Sequence, residues 1–175
     1  EYVGSKHAVM VNSGSSANLV AVAALSLRKR RPLMRGDEVI VPAVSWPTTY
    51  TPLHQYGLRL KFVDIDLDTL NYDIEALAAA VSDKTRMIVA VNLLGNPNDF
   101  PAIRTIIAGR PITLIEDNCE SLGAELGETQ TGAFGEIGTF STFFSHHIAT
   151  MEGGLVVTND DEIHQLLMCI RSHGW

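Results

Sequence analysis

Lysine and cysteine are the scarce reactive residues of this 175-residue chain. Lysine occurs at positions 6, 29, 61 and 84, and none follows Lys84. The two cysteines, Cys119 and Cys169, stand far apart; this excludes a CxxC metal site and suits a reduced, cytoplasmic compartment. Positive charge is also short. Lys and Arg total 13 against 20 Asp and Glu, a net charge of −7, so no basic stripe is available to neutralise phosphates and nucleic acid is excluded as a partner. The one basic run, Arg28-Lys29-Arg30-Arg31, reads as the solvated end of a helix, where the dipole favours cations. No apolar run reaches transmembrane length and no signal peptide is visible, so no membrane partner is expected. The chain starts in mid-pattern at Glu1 and stops at Trp175 just after a helix-like segment, so both ends read as cut.

What is present suffices for one domain with a sizeable core: 46% of residues are hydrophobic and 19% charged. There is no internal repeat, low-complexity tract or linker. Short apolar runs alternate with amphipathic stretches, which predicts an α/β layer structure. Strands are predicted over 9–11, 38–41, 60–63, 87–91, 112–116, 139–144 and 154–158, and helices over 17–27, 46–56, 73–81, 101–108 and 160–172. Ser13 or Ser15 is a cap for the first helix and Asp73 for the third, while Pro47 and Pro101 fall in first turns. Loops are expected over 92–99 and 132–138. Strands linked through helices need right-handed crossovers, so most of the sheet should be parallel. Ligands of such sheets sit at the carboxyl ends of strands.

Three stretches lie at or just beyond such ends, and we expect them to hold one cofactor. NSGSSAN (12–18) has the small residues and helix-start N–H groups that suit a phosphate, although alone it equally reads as a capped helix. In EDNCES (116–121), Asp117 ends a buried-looking run, where a carboxylate can hold a protonated ring nitrogen; an isolated aspartate there is more often a cap or a structural ion pair. Glu120 reaches the same region or is a solvated loop carboxylate. Trp46 stacks on an aromatic ligand or is core. STFFSHHIATMEGG (141–154) sets two histidines before a glycine pair. Imidazole suits proton transfer near neutral pH; the alternatives are a zinc site, for which no third and fourth ligands are spaced, or two surface histidines.

Together with GDEVIVPAVSW (36–46), KFVDIDLDTLN (61–71), NLLGNPND (92–99), GAFGEIGTFS (132–141) and EGGLVVTND (152–160), these motifs resemble the DegT/DnrJ/EryC1/StrS family of sugar aminotransferases. The resemblance runs in order along the whole chain. It implies an aspartate-aminotransferase-like fold that binds pyridoxal 5′-phosphate (PLP), with a mostly parallel mixed sheet and helices on both faces. Residues 1–175 would be most of the PLP-binding large domain, without an N-terminal segment and a C-terminal small domain. In the family, a lysine six residues before the glutamate of EGG bonds covalently to PLP. Here that position is His146, which puts ordinary transamination in doubt.

A subgroup, the sugar 3-dehydratases, makes this change. It implies removal of the C3 hydroxyl from a nucleotide-linked 4-keto-6-deoxyhexose by the amine form of the cofactor (PMP). The wording points to GDP-4-keto-6-deoxy-D-mannose as substrate and L-glutamate as co-substrate, in dideoxysugar and lipopolysaccharide O-antigen synthesis. The implied roles are Gly14, Ser15 and Ser141 at the PLP phosphate, Trp46 on the ring, Asp117 at the ring nitrogen, Glu120 at the ring edge and His146 as acid and base. His173 is implied at the co-substrate or sugar; by itself it reads as a helix-end histidine. A homodimer with shared sites is implied as well. The alternatives are an iron–sulfur CDP-sugar dehydratase with a reductase and Cys119 as a cluster ligand, an aminotransferase, and a non-catalytic regulator.

Overall fold

In the computed structural model, which describes residues 2–174, the apolar runs form one seven-stranded sheet. The strands in chain order are β1 (His7–Val11), β2 (Glu38–Pro42), β3 (Arg59–Val63), β4 (Thr85–Val91), β5 (Thr113–Asp117), β6 (Glu125–Leu126), β7 (Thr129–Gln130), β8 (Ile137–Ser141) and β9 (Gly154–Thr158). β6 and β7 form a separate small hairpin inside a region too polar to predict as strand. The large sheet runs β1-β9-β8-β5-β4-β2-β3. β2, β3, β4, β5 and β8 are mutually parallel, and β9 is antiparallel to both of its neighbours. The expected α/β class and mixed, mostly parallel sheet are what the chain adopts.

The helices are α1 (Gly14–Leu27), α2 (Pro47–Gln55), α3 (Ile74–Ala80), α4 (Phe100–Ile107) and α5 (Asp161–Arg171). Their division between the two faces explains the nearly continuous apolar strands. Side chains alternate along a strand, so Val39, Val41, Met87 and Val89 face α1, α2 and α5, where Ala21, Leu25, Leu53 and Leu167 are buried. Ile40, Ile88 and Ala90 face α3 and α4, against Leu77, Phe100 and Ile103. Short polar side chains start the helices. Ser13, Asp73, Asp99 and Asp160 accept the N–H groups of Ser16, Ala76, Ala102 and Ile163, each cap contributing about 1 kcal/mol.

Arg28 does not stay in solvent with the rest of its basic run. α1 ends at Leu27, and the extended backbone at Arg28 turns its guanidinium inward. It donates to Glu136 at 2.7 Å and to Thr113 at 2.6 Å, while Lys29, Arg30 and Arg31 remain exposed. A run of like charges hides this because the partners come from β5 and from the residue before β8.

The register brings several strand ends to one edge. Val11 and Ser141 both lie opposite Gly154, and Val91 lies beside Asp117. The outer seam, where β1 meets α5, is ionic. Asp161 accepts from Lys6 and His7, both at 2.6 Å, and the His7 ring stacks on His164 with 4.0 Å between centroids. Hydrogen bonds from Lys6 and His7 hold the Asp161 carboxyl down at about 2. A depressed carboxylate stabilises the fold above its ordinary value, and that contribution is lost as pH falls toward the folded value. In the full-length protein, the urea midpoint of Asp161→Asn should therefore fall less steeply than that of the parent between pH 5 and pH 3; parallel pH curves would show that the seam contributes nothing.

Candidate active site

The shared edge is closed by a backbone contact that only glycine permits. A Cβ on Gly154 would strike the carbonyl of Ser13, and one on Gly14 would lie 2.6 Å from the Ser141 Cβ and 3.0 Å from the Cys119 sulfur. The β1–α1 turn, the end of β8 and the start of β9 are thus packed backbone to backbone. Ser13 caps α1 through its hydroxyl, and its carbonyl takes the Ala17 N–H. The N–H groups of Gly14 and Ser15, in the first turn of a 14-residue helix, have no intrahelical acceptor.

These groups open into a cavity of about 810 Å³ at the carboxyl edge of the sheet. Gly14, Ser15 and Ser141 line it, as do Trp46, Asp117, Glu120 and His146. Seven of the eight predicted site residues therefore share one space. His173, in left-handed conformation at φ 64°, is exposed beyond α5 and does not line this cavity. None of the four lysines lines it either.

Each wall has a local cause. Trp46 precedes Pro47 at the start of α2 and is 71% exposed, so the core reading does not apply; the indole stands open on the cavity. Asp117 is buried and accepts from the Asn18 side-chain amide at 2.9 Å, the Thr49 hydroxyl at 2.8 Å and the Cys119 N–H at 3.2 Å. Among the described residues it has no cationic partner, and it caps no helix. Glu120 is partly exposed and accepts the Leu94 N–H at 3.0 Å, which ties the turn after β4 to the cavity rim. Burial, then the charge of Asp117, push the Cys119 thiol far above its ordinary value.

His146 stands on a loop pinched at its neck. Thr142 N–H donates to Gly153, Thr150 N–H donates to Thr142, and the two threonine hydroxyls lie 2.7 Å apart. This neck stops β8 at Ser141, short of the predicted end at 144. The His146 N–H closes a turn onto the Phe143 carbonyl, and the two rings stand at 63° to each other with 6.4 Å between centroids. His146 is half-buried and His147 exposed. Among the described residues no three His, Cys, Asp or Glu side chains assemble a metal site.

Asn18, Thr49 and Thr139 were not among the predicted residues, yet they surround Asp117. The Thr139 hydroxyl donates to the Asn18 side-chain oxygen at 2.6 Å, and Ser45 and Thr49 share a hydrogen bond of 2.8 Å. One signal was legible: asparagine is a poor interior helix residue, yet Asn18 lies within an otherwise apolar helical stretch.

A helix start, an aromatic wall, a buried carboxylate and a histidine around one cavity define a class of fold and site that comparison with known proteins identifies. The chain belongs to the DegT/DnrJ/EryC1/StrS aminotransferase family, whose profile matches residues 1–175. It is 64% identical over 172 residues to GDP-4-keto-6-deoxy-D-mannose 3-dehydratase of Escherichia coli O55:H7, covering 98% of this chain and 44% of that protein. Among solved structures, it matches a GDP-4-keto-6-deoxymannose-3-dehydratase mutant with bound GDP-perosamine at a TM-score of 0.98 and 63% identity. It matches the same dehydratase with a trapped PLP-glutamate geminal diamine equally, at 0.98 and 63%. Both matches cover 99% of this chain and 45% of the other. The chain therefore spans less than half the length of these relatives. Among the described residues no helix is long and apolar enough to cross a membrane.

Gly14→Ala in the full-length protein should force Ser141 or Cys119 aside and cost about 1–3 kcal/mol. The expected reading is a lower urea midpoint with an unchanged slope; an unchanged midpoint would mean that the β8 edge yields freely.

Proposed function

We propose that the full-length protein is a PLP-dependent 3-dehydratase of a nucleotide-linked 4-keto-6-deoxyhexose, GDP-4-keto-6-deoxy-D-mannose, with L-glutamate as co-substrate. The observation that carries this reading is His146 in a cavity of cofactor size that has no lysine on its walls. The dehydratase relatives support the substrate, and the PLP-glutamate complex of one of them supports the co-substrate. Residues 1–175 are, on this reading, most of the cofactor-binding large domain of a cytoplasmic enzyme, the remaining segments lying outside this sequence.

The cavity fits PLP on its own terms. The absence of a Cβ at Gly14 lets the start of α1 pack against Ser141 and Cys119, and the Gly14 and Ser15 N–H groups, with no intrahelical acceptor, suit a phosphate. Asp117 supplies the acceptor that a protonated ring nitrogen requires, and the exposed Trp46 indole supplies a face for the ring. Bound there in its amine form, the cofactor supplies the amine that joins the sugar ketone and an electron-accepting ring for loss of the C3 hydroxyl.

The residues of the chain do the rest. Gly14, Ser15 and Ser141 bind the phosphate, Asp117 keeps the ring nitrogen protonated and Glu120 bounds the ring edge. His146 takes a proton from the carbon bearing the cofactor amine and delivers one to the departing hydroxyl, serving as base and then acid. Imidazole has no amine to condense with a carbonyl, so His146 cannot capture the cofactor covalently as lysine does. His173 contacts sugar or co-substrate only if the remaining segments or a second subunit bring a site to it. Phe144, Ile148 and Met151, on the loop that carries His146, and Leu94, on the turn tied to Glu120, are exposed large apolar side chains, which supports a homodimer that covers them.

The test mixes full-length protein, PLP, L-glutamate and GDP-4-keto-6-deoxymannose. The expected product lacks one oxygen, gains no nitrogen and appears with ammonia and 2-oxoglutarate. His146→Ala should slow its formation by roughly a hundredfold or more. An aminated sugar would overturn the reading.

A further inference from the structure

Asn18 is 7% exposed and sits in the second turn of α1, where asparagine lowers helix stability. Its side chain is held instead by three partners from three other elements. Its amide nitrogen donates to Asp117 Oδ2 at 2.9 Å and to the Thr48 carbonyl in α2 at 3.3 Å. Its oxygen accepts from the Thr139 hydroxyl in β8 at 2.6 Å. The Asp117 carboxylate and the Thr48 carbonyl, which can only accept, fix which way the amide points, so its oxygen takes the Thr139 hydroxyl, whose other acceptor, the Glu116 carbonyl, lies farther off at 3.3 Å. Asp117 Oδ2 takes a second donor, Thr49, so this oxygen is clamped between α1 and α2, while the Cys119 N–H holds Oδ1.

We propose that Asn18, itself oriented by Thr139, is the positioning residue that aims Asp117 at the cofactor's ring nitrogen. Asn18 and Thr139 stand behind Asp117, and neither lines the cavity. The proposal rests on the reading of the cavity as a PLP site. It adds that the α1 start, which faces the phosphate, the α2 start, which carries Trp46, and the β5 end, which carries Asp117, are locked in register by one amide.

The test uses full-length protein reconstituted with PLP and reads the PLP dissociation constant and the pH dependence of the bound cofactor's absorption. Asn18→Leu removes the donor. Asn18→Asp keeps the shape and turns a second acceptor toward Asp117. Both should weaken PLP binding about tenfold or more, the magnitude of a lost charge-assisted hydrogen bond, and shift the pH profile of the spectrum. Thr139→Val should move both readings in the same direction by about threefold, as suits a neutral hydrogen bond, and Thr139→Ser should restore them. Asn18→Asp or Thr139→Val with parental affinity and an unmoved profile would overturn the proposal, even with a lowered melting temperature. A parent protein that shows no PLP spectrum would instead overturn the functional reading beneath it.

Discussion

Two adjacent carboxylates end β5, and burying them organises the edge of the sheet. The pleat sends Glu116 and Asp117 to opposite sides. A carboxylate without water needs donors, because leaving its charge unpaired costs several kcal/mol. Glu116 obtains them from the backbone: the N–H groups of Gly132, Phe134 and Gly135 reach it at 2.6, 2.7 and 2.6 Å. Burial nevertheless raises its pKa, with those three donors pulling the other way. Asp117 obtains its donors from α1, α2 and its own turn. The loop before β8 and the starts of two helices are therefore fixed by the demands of two side chains.

Placement of the elements was largely legible because local and tertiary signals agree. The apolar run of β4 faces helices on both sides, and the residues able to cap helices do cap them. Where the signals separate, the sequence misleads. The 139–144 run looks like one strand, but Thr142 is taken by the loop neck. Arg28 looks like one of four surface cations, but beyond the neighbouring Arg31 carbonyl its guanidinium is held by the side chains of Thr113 and Glu136. Neither of these side chains leaves a trace in the neighbourhood of Arg28 along the chain.

The site was legible chiefly through the family resemblance. The six-residue step from Glu152 back to His146 and the motifs at 12–18 and 116–121 brought most of the candidate residues into one cavity. Trp46 could be read as core or as site, and only its exposure decides between them. The residues behind Asp117 were not legible, because Asn18, Thr49 and Thr139 are common polar residues whose importance comes from meeting one carboxylate. His173 illustrates the converse: a histidine just past a helix end says nothing by its place in the sequence about which space its side chain reaches.

The register of β1 has a consequence for how the domain is made. Among the described strands, β1 pairs only with β9, His7 lying opposite Thr158. As the chain leaves the ribosome, β1 cannot pair, and Ser13 cannot meet Gly154, until β9 far along the chain has been made. A long-range closure of this kind is slow and leaves an open strand edge in the meantime. The anion-facing turn is thus made long before the strand that closes it, so a chain released before β9 is complete would carry the parallel strands without the backbone contact that shuts the cavity's edge.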